Sequence, residues 1–227
     1  MVQIKPLNIN LVGVGAGLSY DVTGPTHHCL EDLSIINTLP NIDIISPSDS
    51  SLMDMIDDYW LSKESPKYLR LDGKTHPNIY SNAAEIDLSK GFYKITDGTD
   101  AVIISTGYMT HKALKAAERL YADGYALTVI DTFILKPLNA EALWQVIYSH
   151  KLIVTLEESF IHKGGLDGII SNMLQQYNSR ARHLRLGFVD KYVFDVGDRE
   201  YLHTVNGLAI DDICNKIKQA LMSITNA

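Results

Sequence analysis

Beyond residue 98 the chain alternates between short apolar runs and longer amphipathic stretches. AVIIS (101–105), ALTVIDT (126–132), KLIVTL (151–156) and LRLGFV (184–189) are apolar along most of their length, as strands buried on both faces are. Between them, HKALKAAERLYADG (111–124) predicts a helix stopped by Gly124. KPLNAEALWQVIYSH (136–150) predicts another, with Asn139 as N-cap and an apolar stripe of Leu143, Val146 and Ile147. LDGIISNMLQQYN (166–178) and AIDDICNKIKQALMSI (209–224) supply two more. Strands separated by helices of this length predict a parallel sheet with helices on both faces.

The first 95 residues are sparser. INLVGV (9–14), NIDIISP (41–47) and KYLRL (67–71) read as strands, HCLEDLSIINTL (28–39) and SSLMDMIDDYWLSK (50–63) as helices. Three strands make a sheet with little core of its own. Residues 75–100 are rich in polar and turn-forming side chains and are expected to link two parts, with a boundary near 95. The expectation is an α/β chain of two domains, 1–95 and 96–227.

A net charge of −7 without any Lys/Arg block excludes the electrostatic footprint of a nucleic-acid binder. The apolar runs are too short to cross a bilayer, and MVQIKPLNIN has no apolar signal core, so no membrane role is expected. Cys29 and Cys214, far apart and without a CxxC pattern, fit a reducing cytoplasm and no structural zinc.

The densest chemistry lies in VGVGAGLSYDVTGPTHHCLED (12–32). Gly13 and Gly15 begin a dinucleotide fingerprint, but Leu18 stands where its last glycine belongs, and the helix expected from about residue 27 starts too late to receive a pyrophosphate. His28 and Asp32 are spaced for one helical face, yet the adjacent His27 points about 100° away and no third metal ligand is apparent. A plain loop with one histidine capping the helix is the remaining reading from the residues alone. Farther on, Glu157 and Glu158 leave a strand toward opposite sides, which favours structural use over a proton-sharing dyad. Gly164-Gly165 suits either an anion nest or a simple helix entry.

The segment GVGAGLSYDVTGPTHHCLEDLSIINTLPNIDIISPSD (13–49) resembles the pyrimidine-binding domain of the transketolase family, with Gly24-Pro25-Thr26-His27, Leu39-Pro40-Asn41 and Pro47-Ser48-Asp49 in register. DTFILKPLNAEAL (131–143), VTLEESFIHKGGLDGII (154–170) and NGLAIDDICNKIKQAL (206–221) are similar to that family's C-terminal domain. The resemblance implies a partial pyrimidine-domain sheet followed by a five-stranded three-layer α/β/α C-terminal domain. It implies thiamin diphosphate with magnesium, and transfer of a two-carbon ketol unit between sugars.

By this match His27 is expected to bind substrate and relay protons, from the first turn of a helix beginning near Pro25. Thr23 stands where the family carries an acid before G-P-T-H. His28, and Arg70 and Lys74 around the third strand, complete the expected substrate-facing set. The family's upstream phosphate-binding histidine would fall in the Gly13–Gly17 loop, which has none, and its phosphate-binding arginine near Gly73 or Lys74. The GDG…NN magnesium motif has no match, since TDGTD (96–100) lacks its first glycine and any following Asn pair. The activating glutamate that precedes G-P-T-H in the family is also without a match. The chain is therefore expected to be the distal part of a longer enzyme, inactive alone, working with an N-terminal subunit that holds most of the cofactor, as a homodimer or heterotetramer. Alternatives are a deoxyxylulose-phosphate-synthase-like or 2-oxo acid dehydrogenase β-like subunit, and a non-catalytic paralogue that only binds partners.

Overall fold

The computed structural model describes residues 7–80 and 86–225. In chain order the elements are β1 (Asn10–Val14), α1 (Asp32–Asn37), β2 (Asp43–Ile45), α2 (Ser50–Ser62), β3 (Lys67–Leu71), β4 (Phe92–Thr96), β5 (Ala101–Ser105), α3 (Met109–Ala122), β6 (Leu127–Thr132), β7 (Ile134–Lys136), α4 (Ala140–Ile147), β8 (Leu152–Phe160), α5 (Leu166–Gln176), β9 (Arg182–Phe188), α6 (Arg199–Val205) and α7 (Ile210–Thr225). Asn139 caps α4 as expected, its side chain accepting from the Ala142 N–H at 3.2 Å.

The strands form two sheets, in the orders β1-β3-β2-β7 and β4-β6-β5-β8-β9. The apolar runs seen in the sequence are the parallel strands of the second sheet. Its fifth strand, β4, runs antiparallel to β6 and lies inside the stretch expected to be a linker. That sheet thus begins at Phe92, a few residues before the expected boundary; residues 81–85 of the stretch lie outside the described residues. FYKIT is made of strand-favouring residue types apart from Lys94, and β6 offers it the edge on which it pairs. The short β7 has no strand signature, and it crosses back to pair antiparallel with β2 in the first sheet.

The crossing solves the core problem of a small first sheet. Leu33, Ile44 and Tyr68 of the first part pack in one cluster with Val102, Ile104, Ile130 and Ile153 of the second. Ile45, Leu52, Ile56, Trp60 and Leu69 close over Phe133 and Ile134, which enter from the second part. The opposite face of the large sheet packs Ile103, Val129, Val154 and Leu186 against α3, α6 and α7. Only β1 stays outside this burial: Leu11, Val12 and Val14 are exposed at the sheet edge.

The helix expected from residue 28 begins only at Asp32. Cys29 is committed elsewhere: its N–H donates to the Gly17 carbonyl at 2.8 Å, and its carbonyl accepts from the Gly17 N–H at 3.0 Å. This one-residue antiparallel bridge holds the chain extended and defers the helix. His27 therefore sits in a turn, not at a helix N-terminus.

Candidate functional site

The parallel strands β1, β2 and β3 deliver their carboxyl ends to one rim, where an α/β sheet builds its sites. The chain leaving β1 stays on that rim because the N–H groups of Gly15 and Ala16 both donate to the Leu71 carbonyl at the end of β3, at 3.0 Å. A 3-10 turn at Asp21–Thr23 follows, then the turn bearing His27.

The glycines here make room for the protein's own side chains. A β-carbon on Gly13 would overlap Tyr68, one on Gly15 would overlap Tyr20, and one on Gly17 would overlap the Glu158 carboxylate. The concavity in which a phosphate could lie is thus already filled. The same holds at Gly164-Gly165. The α5 N-terminus is occupied by Glu157, which accepts from the N–H groups of Leu166 (2.8 Å) and Asp167 (2.7 Å). That position is a helix entry closed by an internal carboxylate.

Of the residues singled out from the sequence, Thr23, His27 and His28 share the loop. Thr23 and His27 are exposed and His28 is half-buried. His27 Nδ1 lies 2.9 Å from Thr26 Oγ1, and the Tyr20 ring stands edge-on at 6.5 Å between centroids. Its Nε2 has no hydrogen-bond partner among the described residues. His28 turns inward, with Nε2 3.1 Å from the Asp21 carbonyl. A carbonyl can only accept, so Nε2 is the donor of this bond, and the buried Nδ1 has no hydrogen-bond partner among the described residues.

Lys74 is brought to the loop by an ion pair with Asp21 Oδ2. Arg70 is not. Its position on the central strand of a parallel trio turns it into the core, where Nε meets Asp32 Oδ2 at 2.7 Å and one terminal nitrogen donates to the Glu158 carbonyl at 3.0 Å and the Cys29 carbonyl at 3.3 Å. Tyr68 donates to the same Asp32 oxygen at 2.9 Å. Asp32, weighed as a metal ligand with His28, thus commits its Oδ2 to Arg70 and Tyr68, while its buried Oδ1 has no hydrogen-bond partner among the described residues. Among the described residues no cluster of three or more His, Cys, Asp or Glu is placed to hold a metal ion.

The residues that fix the loop escaped the sequence reading. Asp21 is buried; its Oδ1 accepts from the Val22 N–H and its Oδ2 from the Arg199 N–H, both at 2.8 Å. Burial alone would raise its carboxyl, but Lys74 and the two backbone donors hold it below the usual carboxylate value. Arg199, the first residue of α6, binds Glu158 through Nε at 2.9 Å and Asp72 at 2.7 Å, and its guanidinium lies 3.7 Å from the centre of the Tyr108 ring. His203, one turn on, places Nε2 2.6 Å from Glu158 Oε1. The Glu157-Glu158 pair does split as expected: Glu157 faces α5 and Glu158 faces α6. Its partners lay in a segment where no helix was expected, so the sequence offered no pair to recognise.

The comparisons agree with this architecture. Residues 1–71 match the transketolase pyrimidine-binding domain and residues 92–213 the transketolase C-terminal domain. An apulose-4-phosphate transketolase subunit of Actinobacillus succinogenes is 27% identical over 206 residues, covering 91% of this chain and 66% of that one. The 1-deoxy-D-xylulose-5-phosphate synthase of Chlamydia muridarum is 30% identical over 203 residues, covering 89% of this chain and 32% of that one. A solved split-gene transketolase, described as an inactive β4 tetramer, superposes with a TM-score of 0.84 at 28% identity, covering 96% of this chain and 68% of that one. The chain thus spans about two thirds of the length of the subunit-type relatives and about a third of the synthase. No helix among the described residues is long and apolar enough to cross a membrane. With both domain families matched in order along one chain, and the fold shared with a split-gene member, the protein belongs to the transketolase family.

Proposed function

We propose that this chain is the C-terminal subunit of a split, thiamin diphosphate-dependent transketolase that moves a two-carbon ketol unit between sugars. The observation that carries the reading is His27: an exposed imidazole whose Nε2 has no partner among the described residues, on a loop fastened at Asp21 to Lys74 beyond β3 and to Arg199 of α6. A fixed imidazole with one open nitrogen is equipped to accept a hydroxyl proton and return it near neutral pH. Tyr20, edge-on to the His27 ring at 6.5 Å, and the exposed Thr23 on the same loop are assigned to sugar hydroxyls. The relatives whose names make them subunits of transketolases support the division of labour between two chains.

The reading gives the cofactor's diphosphate and its magnesium to a partner chain, and the packing of the glycine loop supports it. The glycine loop is packed against Tyr68, Tyr20 and Glu158, and no metal-binding cluster is present among the described residues. The cofactor site is assigned to a partner chain carrying the GDG…NN motif and the activating glutamate, in a cytoplasmic hetero-oligomer. Calorimetry tests this division. The partner, alone or mixed with this chain, is expected to bind thiamin diphosphate with magnesium, with tighter binding in the mixture. Micromolar magnesium-dependent binding to this chain alone would refute it.

A further inference from the structure

At the amino ends of β8 and β9, the end of the large sheet remote from the His27 loop, lies a cavity of about 570 Å³. Its wall is built by the turn after α4, the turn after α5 and the end of α7. Glu158, which seats the His27 loop, stands near the other end of β8, about 20 Å away at the rise of a strand. Lys151, Arg180 and Arg182 line the cavity, with Trp144, Tyr148 and Ser149 among the rest. No aspartate or glutamate lines it, although acids outnumber Lys and Arg in the chain by 27 to 20.

All three cations are exposed, and none forms an ion pair among the described residues. Arg182 reaches only neutral oxygens, the Ala220 carbonyl at 3.4 Å and Ser223 Oγ. Lys151 and Arg180 donate no side-chain hydrogen bond among the described residues. Helix C-termini attract cations, and α4 and α5 both end here. A cation placed for that purpose alone would cap terminal carbonyls, and these two cap none. An anion entering the cavity therefore gains Coulomb energy without displacing an internal partner. Aromatic surface adjoins the cations. Trp144 lies face to face with Tyr177, centroids 5.0 Å apart and planes at 12°, and Tyr148, 62% exposed, tilts beside Trp144 at 6.5 Å.

We infer that this cavity binds a nucleoside diphosphate, with Lys151, Arg180 and Arg182 on the diphosphate and Trp144 and Tyr148 against the base. Two arginine forks and one lysine suit a chain of phosphoryl oxygens better than a lone carboxylate, which a single fork would satisfy. A flat base stacks on exposed aromatic rings, which the cations alone would not require. The volume lies within the range of small-molecule sites, about 300–1,000 Å³. The distance from the His27 loop makes the ligand an effector, not a substrate. The inference stands apart from the ketol-transfer reading and does not rest on it.

The test is a titration of the full chain with adenosine diphosphate in magnesium-free buffer, read by calorimetry and by tryptophan fluorescence. Wild type is expected to bind one equivalent, saturating below about 1 mM, with a change in Trp144 emission. The only other tryptophan, Trp60, is buried under the first sheet and supplies a constant background. Trp144→Phe is expected to bind without the fluorescence change. Arg180→Ala and Lys151→Ala are each expected to weaken binding about tenfold and to melt like wild type, since neither side chain has an internal partner to lose. Inorganic diphosphate and adenosine, the two halves of the ligand, are each expected to bind at least about tenfold more weakly. An absence of saturable binding by wild type overturns the inference. So does binding that the Lys151→Ala/Arg180→Ala double variant keeps at full strength, or a fluorescence change that survives Trp144→Phe. Inorganic diphosphate binding as tightly as adenosine diphosphate also overturns it, because the cavity would then be a plain anion site.

Discussion

Gly17 rests directly on the Glu158 carboxylate, so that no β-carbon can stand between them. The contact joins the loop leaving β1 to the end of β8, two segments far apart in sequence and in different domains. Glu158 is in turn clamped by Arg199 and His203. The loop bearing His27 is thus seated on a buried ion cluster supplied by the C-terminal domain.

Gly17→Ala should be costly for two reasons: the residue has φ +59°, and the methyl group would strike a buried charged side chain. A loss of about 2–4 kcal/mol is expected in urea unfolding. Gly24→Ala is the control. Gly24 has φ +84° with nothing within 4 Å of an added β-carbon, so only the backbone term of about 1–2 kcal/mol should appear. Equal losses at the two sites would contradict the packing account.

The Glu158 cluster should give the fold a distinct acid dependence. Burial would raise this carboxyl, but Arg199 above all, with His203, holds it well below its usual value of 4.5. A group depressed in the folded state stabilises above its unfolded pKa and loses that contribution as pH falls toward the folded one. The melting temperature should therefore fall steeply from pH 5 to pH 3. Glu158→Gln should be less stable at pH 7 by about 3 kcal/mol, with buried Arg199 keeping Asp72 as its carboxylate partner, and should show a shallower acid slope. Parallel pH profiles for the two proteins would rule this out.

Asp131 should behave with the opposite sign. It is fully buried and accepts from Ser48 (2.6 Å) and Tyr80 (2.7 Å) of the first part and Thr110 (2.9 Å) of the second. Burial, only partly offset by these three donors, pushes its carboxyl up to about 6. The stability it contributes is complete below the unfolded value of 3.8 and is lost as pH rises through 6. Asp131→Asn should accordingly gain on wild type between pH 4 and pH 7, by up to about 3 kcal/mol at 1.36 kcal/mol per pKa unit. Chemical denaturation at the two pH values checks the sign.

The two adjacent histidines should separate cleanly in the assembled enzyme. His27→Ala removes the exposed imidazole and should slow turnover by about 10²–10⁴-fold with little loss of stability. His28→Ala removes the hydrogen bond to the Asp21 carbonyl and should cost stability, about 1–2 kcal/mol, more than rate. Steady-state kinetics and thermal melts of both variants decide it; the reverse pattern would move the role from His27 to His28.

Much of the C-terminal sheet was legible because its strands are apolar on both faces and its helices carry a clear stripe; Asn139 was even recognisable as a cap. What escaped notice depended on partners distant in sequence. FYKIT becomes β4 against β6, and ILK becomes β7 only because β2 has an open side. Arg199–Val205 is too short to show a helical period, so the residues that clamp Glu158 were unmarked. The start of α1 was misplaced because the Gly17–Cys29 bridge, a tertiary contact, overrides the local helix signal at residues 28–31. His27 was found by motif, whereas Asp21, six residues before it, was recognisable only from what it holds.

The most direct measurement is two-carbon transfer from a ketose to an aldose, followed by mass spectrometry of the products, in a mixture of this chain with a subunit carrying the GDG…NN motif, thiamin diphosphate and magnesium. The account predicts no product from either chain alone, product from the mixture, and a loss of about 10²-fold or more when His27 is replaced by alanine. Turnover by this chain alone, or a stable complex of the two chains that transfers nothing, would contradict it.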